Sequence, residues 1–348
     1  MSIEYKKLDQ VCEILDSRRI PITASDRKSG IYPYFGANGL QDYVDDYIFD
    51  DELVLLAEDG GNFGSKDRPI AYRVSGKCWV NNHAHVLKAK DEINIDYLCY
   101  SLMFYNTNGL VNGATRQKLT QAAMRQMLIP VRSMPEQLQI VKRIRSIFDL
   151  INDRTSELLL LDQLVKSRFI ELFGEINAPS KWEKKPWAEL VTIQNGRDYK
   201  HIAVESGGYA VYGTGGEMAR ASDYLCPENT IIVGRKGTIN NPLLVKEKFW
   251  NVDTAFGVIV GEQLHYQYFY GFCRMFDFSK LNKQAVLPST TKADLLKIQI
   301  AVPPIELQEQ FAAFVEQVDK SKFYIQQIDE IYLLIIKTLS WRVKHDYN

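Results

Sequence analysis

The chain has 348 residues, 46% of them hydrophobic and 24% charged, enough to bury the cores of two domains. No apolar run reaches the ~18 residues that span a bilayer, and the N-terminal Met1-Ser2-Ile3-Glu4-Tyr5-Lys6 lacks the apolar centre of a secretory signal, which points to a cytoplasmic protein away from membranes. The net charge of −1 argues against a self-sufficient, uniformly basic nucleic-acid binder.

The first 134 residues carry 16 basic and 17 acidic residues. They read as a β-rich globular part, with Gly and Asn turns between short apolar runs such as Glu52-Leu53-Val54-Leu55-Leu56. Four segments here, and a fifth at Lys166-Ser167, return later in the same order. Leu8, Val11, Ile14 and Arg18 correspond to Trp187, Leu190, Ile193 and Arg197. Tyr32 to Gly39 corresponds to Tyr209 to Gly216, and Gly60 to Gly237. Trp79, Asn82 and Ala84 correspond to Trp250, Asp253 and Ala255. Lys166-Ser167 corresponds to Lys337-Thr338. The offset falls from 179 through 177 to 171 only between motifs, as expected of a duplicated framework with different loops.

A proline-marked junction follows, Ile129-Pro130-Val131 to Pro135, and the hydrophobic period then becomes helical. Stepping alternately by four and three from Ile140 reaches Leu172 through ten positions, all apolar except Arg154 and Arg168, which is a coiled-coil seam. A helix over 136–173 would be roughly 55 Å long. Residues 181–303 repeat the β-rich pattern with 15 basic and 12 acidic residues. After Val302-Pro303-Pro304, a second seam runs from Phe311 to Val343, broken by Lys322 and Asp329. Ordinary packing of each stripe against its own domain is the alternative to the helices pairing with each other. If they pair antiparallel about residues 156 and 327, Arg154 faces Asp329, a polar layer that would fix register. The two globular parts would then lie at opposite ends, inverted, as for two half-sites with an unread gap.

Several residues have the chemistry of DNA contacts. Glu58-Asp59 before Gly60 align with Arg235-Lys236 before Gly237 and its neighbour Thr238, so one loop position carries acids in one copy and bases in the other. Acids accept from cytosine and Arg or Lys donates to guanine, which suits readers of different half-sites; two drifted solvated tips are the alternative. His83 and His85 share a face of a strand and could pair on a metal, but with no third ligand nearby a structural or base-contacting role is expected and no metal. Arg116, Gln117 and Lys118, and in the second copy Lys283, Gln284, Thr290 and Lys292, lie in polar segments that suit bases and phosphates or are solvated loops. Five widely spaced cysteines without a C-x-x-C pair fit reduced thiols. The sequence holds no P-loop, no G-x-G-x-x-G, no Asn-Pro-Pro-aromatic methyltransferase motif, no nuclease core and no nucleophile elbow, so no catalytic site is expected.

Together the repeated Tyr-x-x-aromatic-Gly segments, the Glu58-Asp59-Gly60 and Arg235-Lys236-Gly237 turns, Trp79 to His85 with Trp250 to Phe256, and the junctions Pro135-Glu136-Gln137 and Pro303-Pro304-Ile305-Glu306-Leu307-Gln308 resemble the specificity subunit of type I restriction–modification systems over nearly the whole chain. The resemblance implies an α+β fold of two β-rich target-recognition domains, each followed by a long α-helix, the helices paired as an antiparallel coiled coil. The boundaries would be 1–134 and 177–303 for the domains, 135–176 and 304–348 for the spacer helices. It implies a bipartite double-stranded DNA target, two methyltransferase subunits and, for cleavage, restriction subunits. No cofactor belongs to this chain; S-adenosylmethionine, ATP and Mg2+ would sit on those partners. The competing readings are an interaction scaffold that does not touch DNA, and the recognition subunit of a split type II-like methyltransferase or nuclease.

Overall fold

A computed structural model describes residues 3–65, 67–113, 116–281 and 289–341. The chain divides into two compact units, Met1–Thr155 with Gln326–Asn348, and Ser156–Ile325. Each unit takes one β-rich part and a portion of both long helices, because helix pairing ties distant segments of sequence together.

In the first unit the central strand, Phe49–Ala57, pairs antiparallel with Ala71–Val80 on one side and Ala84–Ala89 on the other, within a six-stranded sheet. Its apolar run is continuous because both faces are covered. Leu53 and Leu55 point into a cluster with Phe49, Val74, Cys78 and Val86. Val54 and Leu56, one residue out of phase, point into a second cluster with Leu8, Val11, Leu98, Met124 and Ile129. The second unit repeats this arrangement. Its central strand, Thr230–Gly234, sends Ile231 and Val233 to one core with Trp187, Phe256 and Phe269, and Ile232 to another with Cys226, Val245 and Phe249. The long strand Ala71–Val80 has two short counterparts, Leu243–Val245 and Phe249–Asn251, so the single sheet of the first unit becomes two four-stranded sheets.

The duplication extends to individual hydrogen bonds. Trp79 pairs in a parallel register with Tyr34, and Trp250 with Val211. The indole of Trp79 donates to Ile20 O at 2.7 Å and that of Trp250 to Arg197 O at 2.9 Å. At the junctions a fully buried glutamine holds the start of each long helix. Gln137 accepts from Asn94 N (2.7 Å) and donates to Glu92 O and Arg132 O. Gln308 accepts from His265 N (2.8 Å) and donates to Gln263 O and Pro303 O. Asn94 and His265 are also the N-caps of the helices Ile95–Met103 and Tyr266–Met275, so one clamp joins two helix starts.

The long helices span Met134–Phe173 and Ile305–Trp341. Pro135 is tolerated in the first turn, where its missing N–H has no intrahelical acceptor, and Gly174 with φ +80° ends the first helix by donating to Ile170 O. On the second helix the seam residues Phe311, Val315, Val318, Ile325 and Ile336 are buried, while Val343 lies outside the described residues. Within the second unit Phe169 and Phe173 meet Phe311 edge-on at 5.5 and 5.7 Å, while Asp162 takes a hydrogen bond from Lys322 at 2.8 Å, so partners rise along one helix as they fall along the other. The helices are antiparallel.

The polar layer differs from expectation. Arg154 makes no ion pair with Asp329; its guanidinium lies 5.3 Å over the ring of Tyr332, and Asp329 Oδ1 is buried without a hydrogen-bond partner. The cationic group has found an aromatic face one turn along. The ionic layer is instead Asp162 with Lys322 and with Arg274, whose two terminal nitrogens lie at 3.3 and 3.4 Å. Burial alone would raise the Asp162 carboxyl, but these cations hold it below the ordinary carboxylate value.

Two measurements check these contacts. Gln137→Ala and Gln308→Ala each remove the partner of three backbone groups and should lower unfolding free energy by about 1–3 kcal/mol in denaturant titration. Double-mutant cycles should give a coupling of about 0.5–1 kcal/mol for Asp162 with Lys322, and none resolvable for Arg154 with Asp329.

Candidate nucleic-acid interface

In each unit the tip that follows the central strand is held by the same set of backbone hydrogen bonds. Glu58 N and Asp59 N both donate to His83 O, at 2.8 and 3.3 Å; Arg235 N and Lys236 N both donate to Thr254 O, at 2.9 and 3.4 Å. Leu119 N donates to Glu58 O and Thr290 N to Arg235 O. Bridges of Asp59 with Lys118 and of Lys236 with Ser289 complete the match. Gly60 (φ +67°) and Gly237 (φ +78°) turn both tips through the left-handed region, which glycine enters without a Cβ penalty. One backbone scaffold thus carries two residues that are acidic in one unit and basic in the other.

The first unit gathers most of its expected residues at one place. Glu58 is nearly buried, with Arg19 Nη1 at 2.7 Å, Lys118 Nζ at 3.2 Å and His85 Nδ1 at 3.5 Å. Asp59 holds Arg116 Nε at 2.7 Å and faces His83 Nδ1 at 3.4 Å. Gln117 is exposed, and its carbonyl accepts from Gly60 N. His85 is a correction: it is fully buried, with Nδ1 2.7 Å from Asp16 Oδ2 and Nε2 2.8 Å from Leu119 O, which leaves no ring nitrogen for a base. His83 and His85 therefore form no pair on one face, one being at the rim and the other in the core.

Asp16, Arg19 and Gln121 were not singled out from sequence, yet they organise this site. Asp16 accepts from Val86 N at 2.9 Å and Gln121 Nε2 at 3.0 Å, besides its contact with His85. Burial pushes its carboxyl up, but the hydrogen bond and charge of His85, the Val86 amide and Arg19 outweigh this and leave it below the ordinary value of 3.8. Asp16, Glu58 and His85 bring ligand-type atoms within 4.8 Å of one another. Arg19 already lies on both carboxylates, Nη2 being 3.5 Å from Asp16, so the cluster is satisfied as an ion network. No sequence signal marks Asp16, whose repeat counterpart is Asn195, 42 residues being needed to reach Glu58.

In the second unit Arg235, Lys236 and Thr238 are exposed at the tip. The guanidinium of Arg235 donates to Asp253 O at 3.3 Å and lies 5.8 Å over Phe256, the counterpart of His85. Tip and floor have changed together: an acid over an imidazole in one copy, a guanidinium over a phenyl ring in the other. Thr290 is a second correction, being buried with its hydroxyl donating to Gly234 O at 2.6 Å. Lys292 is exposed but spends its ammonium on Ile193 O at 2.8 Å, at the start of a short helix capped by Thr291. Lys283 and Gln284 lie outside the described residues. The five cysteines are buried and free, and burial raises the thiols of Cys12, Cys78, Cys99 and Cys226 to about 12, as structural rather than reactive groups. Among the described residues no helix is long and apolar enough to cross a membrane.

A scaffold built twice, with interchangeable charge at equivalent tips and a paired long helix after each copy, defines a two-module recognition protein. The chain belongs to the type I restriction modification DNA specificity domain family, whose model matches it twice, at residues 2–160 and 179–332. It is 40% identical over 155 residues to a putative type I restriction enzyme specificity subunit of Haemophilus influenzae, an alignment covering 44% of this chain and 39% of that one. It is 28% identical over 130 residues to the type I restriction enzyme EcoprrI specificity subunit of Escherichia coli, covering 37% and 31%. The chain thus aligns with well under half the length of either relative. Its fold is that of the type I restriction-modification S subunit from M. genitalium, with TM-score 0.55, 14% identity and coverage of 100% and 97%. It is also that of a chain from a structure describing complex assembly and conformational transition of the type I R-M system, with TM-score 0.57, 14% identity and coverage of 98% and 96%.

The Asp16 network gives a pH prediction. A carboxyl whose folded value lies below its unfolded value stabilises the fold above the unfolded value, and that contribution is lost as pH falls from about 4 through the folded value. Asp16→Asn should lower the denaturant midpoint at pH 7 and flatten its fall between pH 5 and 3.

Proposed function

We propose that this chain is the DNA sequence-recognition subunit of a type I restriction–modification complex, with one domain reading each half of a bipartite target. The observation that carries the reading is the duplicated tip: the same hydrogen bonds to His83 O and Thr254 O support acids in one unit and bases in the other. Two readers that must recognise different half-sites need a common backbone position with independent side-chain chemistry. The antiparallel helix pair serves as the spacer that sets the gap between half-sites.

The chain carries no catalytic role in this scheme and works in the cytoplasm, where its thiols stay reduced. Two methyltransferase subunits supply S-adenosylmethionine chemistry, and restriction subunits with ATP and Mg2+ supply cleavage. Assembly with such partners is supported by the related chain from a type I R-M complex. With a net charge of −1, the chain draws its phosphate contacts from local basic patches or from these partners.

Co-expression with the candidate methyltransferase subunit, followed by mapping of modified adenines across the host genome, tests the reading. Methylation should fall on a two-part motif with a fixed gap, and replacing residues 1–134 by those of another family member should change one half alone. A stable complex that adds no methylation would favour a scaffold that does not read DNA.

A further inference from the structure

The first unit's acidic tip is not free to accept a hydrogen bond from a base. Glu58 and Asp59 are 13% and 21% exposed in their side chains, and cations already occupy both. What the acids present outward is a set of basic groups. Arg116 is the most exposed of these, its side chain 58% accessible.

We propose that Arg116 is a guanine-reading side chain of the first domain and that Asp59 is its positioning residue; this rests on the function proposed above. Asp59 is itself fixed, through its amide on His83 O and its bridge to Lys118. Its Oδ1 pairs with the guanidinium as an ion pair, 2.7 Å from Arg116 Nε. Gly60 leaves the space the guanidinium occupies, since a Cβ there would stand 3.2 Å from Nε. With Nε engaged, the two terminal nitrogens remain: Nη2 makes only a long 3.5 Å contact with His83 Nδ1, and Nη1 has no hydrogen bond or ion pair among the described residues. A pair of parallel N–H groups on a held guanidinium matches O6 and N7 of guanine in the major groove. Holding the side chain beforehand reduces the conformational entropy lost on binding. Lys118 is a weaker candidate, since its single ammonium is committed to Glu58. In the second domain the guanidinium arises from the tip itself, at Arg235 over Phe256, so the two readers bring their donors from different elements of one scaffold.

The test uses the complex of this chain with its methyltransferase partner, methylation mapping as readout, and the variants Arg116→Ala, Arg116→Lys and Asp59→Asn. The half-site assigned to the first domain by the domain exchange should require a G·C pair at one position. Discrimination there, roughly 10- to 100-fold for a bidentate contact, should fall to near onefold in both Arg116 variants. Asp59→Asn should relax the same position and no other, and the second half of the motif should be unchanged throughout. The proposal is overturned if the first half contains no G·C requirement, or if the motif of the Arg116 variants is unaltered. It is also overturned if methylation falls uniformly at all sites and Arg116→Lys restores it, which is the signature of a phosphate contact. Failure of the functional reading itself looks different: the unaltered complex would give no bipartite motif.

Discussion

In each unit one main-chain carbonyl, that of His83 or of Thr254, accepts hydrogen bonds from two successive amides at the tip of the recognition loop. These contacts involve no side chain of the tip, and a glycine with positive φ completes the turn. The loop's path is therefore independent of the residues it displays. Glu58-Asp59 and Arg235-Lys236 can occupy one backbone conformation although their charges are opposite, and the rest of the interface is arranged around that freedom.

Independence of the backbone does not extend to the electrostatics beneath it. A carboxylate held near the core needs compensation, and the first unit supplies it with Arg19, Lys118 and the buried His85. A guanidinium at the same position needs no such set, and the second unit places a phenyl ring below it. Specificity and stability are thus coupled one layer down. An exchange of tip residues without the floor would leave unpaired charge against the core, whereas an exchange of whole domains carries the compensating residues along.

The helix pair follows a different rule. The polar residues that interrupt its apolar seam settle where local partners permit. Arg154 lies over Tyr332 rather than beside Asp329, and the charged layer forms at Asp162, where Lys322 and Arg274 converge from two elements. The buried Gln137 and Gln308 then fasten the helices to their domains through backbone groups, which makes the connection insensitive to sequence drift in the loops they hold.

The duplication and the two helical seams were legible in the sequence, because each is a matter of local periodicity or of ordered repetition along the chain. Which charges are free was decided only by tertiary structure. Asp16, Arg19, Glu58, His85 and Lys118 form one network although about a hundred residues separate its ends, and nothing in their spacing reports it. The same holds for Thr290 and His85, whose polar groups look available in sequence and are consumed by Gly234 O, Leu119 O and Asp16. Composition fixes which polar atoms a loop owns, but only folding sets the distances at which those atoms satisfy one another or remain open to a partner.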